Sequence, residues 1–170
     1  MELIVPNKKY YSSYVEAIKE FYDHKVDTYQ YLDVSKYDIF EKIENFRTSK
    51  NLPINYVNAT YLWLVEGDTF IGEVSIRHKL TSSLLCFGGN IGYGIRWSKW
   101  NNGYGTIMLS LALKYAKEVI SLNKVLITCN DNNLGSACII EKNNGLLQDK
   151  IINVIDGVEI ITRRYWIEIK

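Results

Sequence analysis

The chain has 170 residues, of which 47% are apolar and 13% aromatic, and its formal net charge is +1. This length and apolar content predict one folded domain with a sizeable core and exclude a disordered chain. Twenty basic residues are balanced by 19 acidic ones, so the chain lacks the basic footprint of a nucleic-acid-binding protein and we expect no such partner.

The cysteines and the N-terminal sequence bear on location. Cys86, Cys129 and Cys138 are an odd number without CxxC spacing, so we expect reduced thiols in an apolar core and neither a disulfide framework nor a metal site. The first residues lack the basic flank and long apolar run of a signal peptide, and no segment is long enough to span a membrane. We therefore expect a cytoplasmic protein without a membrane partner.

The first third of the chain predicts a short strand followed by two helices. Residues 3–5 form the strand, which ends at Pro6, and residues 8–23 form the first helix. Ser35 is the expected cap of the second helix, with Asp38 reaching back from its third position. Helical spacing is carried by Tyr11, Tyr14, Ile18 and Phe21 in the first helix and by Ile39, Ile43 and Phe46 in the second.

The remaining two thirds alternate between strand and helix patterns. A hairpin is predicted from strands 61–65 and 70–77, then a loop at 79–90, a strand at 91–95 and a strongly amphipathic helix after Gly105. A buried strand at 125–129, a helix from Asn132 or Asn133 to about Asn143, and a hairpin of 151–155 and 158–169 around Asp156-Gly157 follow. The order β-α-α-β-β-β-α-β-α-β-β predicts an α/β (α+β) domain with a mixed, mostly antiparallel sheet.

The most informative segment is residues 95–106, where a strand leads into a polar loop that ends in Gly-Tyr-Gly at the start of a helix. Such a loop presents free backbone N–H groups and the positive end of the helix dipole, which together favour a phosphate or pyrophosphate. The segment has neither the third glycine of a dinucleotide fingerprint nor the Gly-Lys-Ser/Thr of a Walker A loop. Taken alone, it is equally typical of a helix start that packs tightly on a sheet.

Three segments of the sequence, taken together, are a more specific signal than the loop alone. In the first, Gly103 and Gly105 match both glycines of Arg/Gln-x-x-Gly-x-Gly/Ala, with Trp100 in place of Arg or Gln. The second, residues 128–145, carries Asn-x-x-Ser followed by Glu-Lys and a glycine. The third, residues 72–93, carries Ile-Arg-His and Gly-Gly-Asn-Ile-Gly-Tyr. In these segments the chain resembles the GNAT superfamily of acyl-CoA-dependent N-acetyltransferases, in a bacterial branch that has Gly-Gly-His-Ile-Gly-Tyr. The resemblance covers about residues 60–170.

The resemblance implies a single GNAT domain over residues 1–170, with acceptor-side helices in 1–59 and an acetyl-CoA-binding core in 60–170. It implies direct acetyl transfer from acetyl-CoA to a primary amine of a small molecule or peptide in a ternary complex, without a metal. Pyrophosphate would bind loop amides, the pantetheine arm would pair with strand 93–96, and the Ile95 N–H would polarise the thioester carbonyl. The implied acetyl-CoA-binding residues are Tyr93, Ile95, Arg96, Trp100, Asn101, Asn102, Gly103, Tyr104, Gly105, Thr106, Asn133 and Ser136.

The catalytic residues are less defined. Glu73 and His78 are the candidate general bases, since the attacking amine must lose a proton. Asn90 stands where the related branch has histidine; it cannot titrate, so it would orient substrate or water. Ile140 stands where many members carry a tyrosine that protonates the thiolate, so either another tyrosine serves or the thiolate leaves unassisted. Each candidate also has a purely structural interpretation.

Several alternatives stay open. A non-catalytic acyl-CoA-binding or sensing module would explain the changes at Trp100, Asn90 and Ile140, and a structural domain without any ligand is a further alternative. A ping-pong route through Cys129 or Cys138 is disfavoured, because no sequence feature lowers a thiol pKa. Tyr165 and Trp166 suggest a possible homodimer contact. The tyrosines at 10, 11, 14, 22, 29, 31 and 37 either shape an acceptor pocket or pack in the core.

Overall fold

The computed structural model describes residues 1–36, 38–155 and 157–169. Its elements are β1 (Glu2–Ile4), α1 (Tyr11–Asp23), α2 (Ile39–Thr48), β2 (Ala59–Glu66), β3 (Thr69–Arg77), α3 (Ser82–Cys86), β4 (Ile91–Ile95), α4 (Tyr104–Glu118), β5 (Lys124–Asn130), α5 (Leu134–Lys142), β6 (Leu146–Ile155) and β7 (Val158–Glu168). Short 3-10 turns cover Lys8–Tyr10 and Trp97–Lys99. The predicted order is confirmed, with α3 added in a segment predicted as loop; its single turn is too short to show a helical period.

The predicted α/β (α+β) class with mostly antiparallel strands is confirmed, but the strands form two antiparallel sheets and not one, with orders β1-β2-β3-β4 and β5-β7-β6. Asn90 joins them: its backbone N–H donates to the Leu126 carbonyl at 2.7 Å, and its Oδ1 accepts from the Leu126 N–H at 2.9 Å. Past this point no backbone hydrogen bond links β4 to β5 among the described residues. The outer edge of β4 is therefore left without a strand partner.

Strand β2 separates two cores. Leu62 and Leu64 point into the larger core, which α4 and α5 cover, whereas Trp63 and Val65 point into a smaller one beneath α1 and α2. A strand buried on both faces explains the uninterrupted apolar run of this segment.

Some local predictions were wrong. Asp38, and not Ser35, caps α2, because its Oδ1 accepts from the Phe40 and Glu41 amides. Strand β6 begins at Leu146, five residues before the predicted 151, since its first residues pair with β7. The predicted tyrosine at 37 and the turn residue Asp156 lie outside the described residues.

Two expectations about side-chain location are also corrected. All three cysteines are free, but only Cys129 is buried, while Cys86 and Cys138 are exposed. Tyr165 is fully buried in the larger core, and its hydroxyl donates to Glu141 at 2.8 Å. It is therefore a core residue and not a subunit contact.

Candidate active site

The loop between β4 and α4 presents free backbone donors. Asn101 and Gly103 have left-handed backbones, with φ of 60° and 79°, and Gly103 is the N-cap of α4 without any side-chain cap. The amides of residues 104–106 have no acceptor among the described residues, whereas at α5 the Asn133 Oδ1 accepts from the Ser136 amide. Free amides at the positive end of a 15-residue helix make this loop suited to an anion.

The two glycines of the loop serve different purposes. Gly103 has no atom within 4 Å of the place where a Cβ would stand, so its positive φ is what requires glycine. At Gly105 a Cβ would lie 2.5 Å from Ile139 Cδ1. The second glycine therefore allows α4 to pack closely on α5, whereas the structural interpretation of the motif had the helix start packing on a sheet.

Two residues predicted to bind acetyl-CoA are turned towards α1. The Trp100 indole N–H donates to the Ile95 carbonyl at 2.7 Å, and its ring stands edge-on to Phe21. The Arg96 amide donates to the Ile71 carbonyl, and its guanidinium bonds Glu20 Oε1 at 2.7 Å and Glu16 Oε2 at 3.1 Å. Both residues thus fix the position of the loop in this structure.

The free edge of β4 carries the next group of predicted residues. The bonds of Arg96 to Ile71 and of Arg77 to Asn90 place the even-numbered residues of β4 against β3, so the main-chain groups of 91, 93 and 95 point the other way. The Ile95 carbonyl is taken by Trp100, while its N–H has no acceptor among the described residues.

Tyr93 reaches from β4 to the first turn of α5. Its hydroxyl lies 2.9 Å from Ser136 Oγ and donates to the Ser136 carbonyl at 3.3 Å, and burial raises its pKa. The fold thereby brings Tyr93 to Asn133 and Ser136, which follow it by 40 and 43 residues in the sequence.

Glu73 is the one candidate base that lies beside this edge. It stands on β3 directly across from Gly94 on β4, and its side chain is fully buried. Oε1 accepts from the Tyr29 hydroxyl at 2.8 Å and Oε2 from the Trp63 indole N–H at 2.9 Å. Burial raises the pKa of Glu73 to about 7, although both hydrogen bonds act to lower it. A carboxylate with this pKa is suited to general-base catalysis near neutral pH.

His78 and Asn90 are not brought to this place. His78 follows β3 at the end remote from Ile95, about 20 Å away at 3.4 Å per strand residue. Its Nε2 bonds Thr60 Oγ1 at 2.9 Å, and burial lowers its pKa. The Asn90 side chain is used twice, accepting from Leu126 and donating to the Arg77 carbonyl, so it holds the sheets together.

The structure adds two partners of Glu73 that the sequence did not single out. Trp63 was predicted only as part of a strand, and Tyr29 only as one of seven tyrosines.

Among the described residues, no three His, Cys, Asp or Glu side chains gather as a metal site requires. No helix within the described ranges has the length and apolar character needed to cross a membrane.

Known proteins resemble this chain both in sequence pattern and in fold. A family model for the acetyltransferase (GNAT) domain matches residues 13–145. No curated protein sequence is matched significantly.

Solved structures match over nearly the whole chain at low identity, which shows the fold. The microcin C7 self-immunity acetyltransferase MccE, in complex with acetyl-CoA and AMP, has 16% identity and a TM-score of 0.73, covering 98% of this chain and 91% of that one. A ribosomal-protein-S5-alanine acetyltransferase from Vibrio fischeri has 12% identity and a TM-score of 0.73, covering 99% and 92%. A chimera of the Vibrio cholerae spermidine N-acetyltransferase SpeG and hSSAT has 13% identity and a TM-score of 0.65, covering 99% and 96%.

Proposed function

Because the chain belongs to the GNAT family of acetyltransferases, we propose that it transfers the acetyl group of acetyl-CoA to a primary amine of a small molecule or peptide. Membership makes it an acetyl-CoA-dependent N-acetyltransferase in general. The observation that supports direct transfer is the position of Glu73, a buried carboxylate one residue pair away from the free N–H of Ile95. In this proposal residues 1–170 act as one domain, with 1–59 on the acceptor side and 60–170 binding acetyl-CoA.

The loop and the β4 edge would hold the acyl donor. The amides of residues 104–106 take the pyrophosphate, the main-chain groups of Tyr93 pair with the pantetheine arm, and the Ile95 N–H is left for the thioester. Asn133 and Ser136, at the start of α5, line the other side of the space beside the free edge of β4. Trp100 supplies no cation, so the phosphates are held chiefly by backbone N–H groups and the helix dipole.

Acetyl-CoA supplies an activated acyl group, and the residues of the chain handle one proton and one developing charge. Glu73 removes a proton from the acceptor ammonium, which frees the nitrogen lone pair to form the new C–N bond. The Ile95 N–H donates to the thioester carbonyl oxygen as negative charge develops there. The C–S bond then breaks, and CoA leaves as a thiolate that takes up the second proton, which the nitrogen releases as the amide forms.

The acceptor is proposed only as a class. The names of the structural neighbours mention spermidine, the alanine of a ribosomal protein, and a complex with AMP, so one fold serves chemically different partners. The near-neutral charge of this chain favours neither a polyanionic nor a polycationic acceptor.

The test is acetyl-CoA turnover with a panel of polyamines, amino acids, aminoglycosides and peptides, read as acetylated product by mass spectrometry. We expect at least one amine to be acetylated, and Glu73→Gln to reduce kcat by about 10²–10⁴-fold. Thermal stabilisation by acetyl-CoA without any product would favour the non-catalytic binding module. If saturating acetyl-CoA gives no stabilisation, the proposed donor site is wrong.

A further inference from the structure

Tyr29 packs against Gly94 of strand β4. It belongs to the segment between α1 and α2, and its ring covers Gly94 so closely that a Cβ at that position would stand 2.5 Å from Tyr29 Cδ1 and 2.6 Å from Cγ. Gly94 has an ordinary backbone conformation, with no positive φ. Glycine at this position is therefore explained by the room it leaves for the Tyr29 ring.

The Tyr29 side chain also covers Glu73, the candidate general base. From Gly94 the ring reaches across to β3, where its hydroxyl donates to Glu73 Oε1, while Trp63 occupies Oε2. Both carboxylate oxygens are thus engaged, and Glu73 has no exposed surface. An amine cannot contact this carboxylate until Tyr29 has moved.

We propose that Tyr29 is a positioning residue of the acceptor site, whose hydroxyl orients Glu73 and whose ring must leave Gly94 before an amine reaches that carboxylate. This inference rests on the proposed function, in which Glu73 takes the proton of the amine. The incoming N–H replaces the Tyr29 O–H as the donor to Oε1, so the carboxylate is never left without a partner.

The groups that face Glu73 are all neutral near pH 7. They are phenols from α1, β2 and the segment after α1, and burial raises the pKa of each: Tyr14, Tyr29, Tyr31 and Tyr61. Gly94 on β4 contributes no side chain. Glu73 is therefore the group that titrates here near neutrality, and its titration reports directly on the Tyr29 hydroxyl.

Tyr31 provides a matched control. It is in the same segment, with its ring edge-on to Tyr29 at 5.2 Å, and its buried hydroxyl has no partner among the described residues. Tyr29→Phe and Tyr31→Phe each delete one buried hydroxyl and keep the ring. Only the first removes a donor from Glu73.

The first measurement is an infrared titration of the Glu73 carboxyl, assigned by its loss in Glu73→Gln, which needs no substrate. We expect Tyr29→Phe to move the midpoint upward by about one pH unit, a tenfold change in proton affinity, because a donor to the ionised form is lost. Tyr31→Phe should leave the midpoint in place. Equal midpoints in both variants and the native chain would overturn the proposal.

The second measurement tests closure through carbodiimide-driven coupling of a small amine to Glu73, followed by peptide mass analysis. Labelling should be slow in the native chain and in Tyr29→Phe, and at least about tenfold faster in Tyr29→Ala. Gly94→Ala, which displaces the ring by adding one methyl group, serves if Tyr29→Ala does not fold. The same labelling rate in all folded variants would refute closure.

The two proposals fail in different ways. If Glu73→Gln acetylates amines at the native rate, the role of Glu73 in the proposed function is wrong, while the titration still decides what Tyr29 does. If Glu73→Gln is inactive but Tyr29→Phe titrates like Tyr31→Phe, the proposed function stands and the inference about Tyr29 is overturned.

Discussion

Replacing Glu73 by glutamine should change how the stability of the protein depends on pH. Burial raises the pKa of Glu73 from its ordinary 4.5 to about 7. Between these values the folded chain keeps a proton on Glu73 that the unfolded chain has released. The stability that this proton contributes is complete below about pH 4.5 and is lost as the pH rises through 7.

The size of the effect follows from the same two values. The difference between the ordinary pKa of Glu73 and its pKa in the folded chain corresponds to about 3 kcal/mol in the free energy of unfolding. Most of this change in stability occurs between pH 5 and pH 8.5. Glutamine fits the site, because its carbonyl can accept from Trp63 and its amide can donate to the Tyr29 oxygen once that hydroxyl turns. The variant therefore avoids the cost of a buried charge and keeps an acceptor for the Trp63 N–H.

The assay is urea unfolding of the native chain and Glu73→Gln at pH 5 and pH 8.5. We expect the variant to gain about 2–3 kcal/mol on the native chain at the higher pH. Glu159→Gln, the same change on an exposed strand residue, is the control and should not alter the difference. A stability difference that is equal at both pH values, or that favours the native chain as pH rises, would refute the reasoning.

Three other variants test the loop and its supports. Arg96→Ala should lower stability by on the order of 2 kcal/mol and raise the KM for acetyl-CoA, because charged hydrogen bonds between α1 and the loop are lost. As a control, removing the exposed side chain of Lys19 on α1 should cost under about 1 kcal/mol in urea unfolding. Gly105→Ala should cost about 1–3 kcal/mol by the same assay, and Ile139→Val should restore part of it, which no phosphate-binding role of that glycine predicts. Gly94→Ala should cost a similar amount, with equal stability in the variant and native chains contradicting the packing on β4.

Much of the fold was predictable from local patterns. The predicted helices at 8–23, after Ser35 and after Gly105 have clear helical periods, and the 91–95 strand follows the glycines at 88 and 89. The junction between the two sheets was not predictable, because it depends on one asparagine whose side chain pairs with a strand 36 residues later.

The environment of Glu73 shows why the site was harder to predict. Counting back from the hairpin turn, a regular register places Trp63 opposite Gly72, but a bulge between Leu64 and Val65 shifts it opposite Glu73. No local signal in the sequence marks that bulge. Tyr29 lies in a segment without periodic pattern, and its contact with Glu73 spans 44 residues.

The junction at Asn90 also bears on how precisely the candidate site is positioned. Ile95 lies five strand residues from this junction, which is a lever arm of about 17 Å at 3.4 Å per residue. A rotation of the sheets by about 5° around the junction would move the Ile95 amide by about 1.5 Å, and a displacement of about 1 Å can cost 100-fold in rate. The side chain and the backbone N–H of Asn90, together with the bond from Tyr93 to Ser136, therefore hold the two sheets in register beside the candidate site.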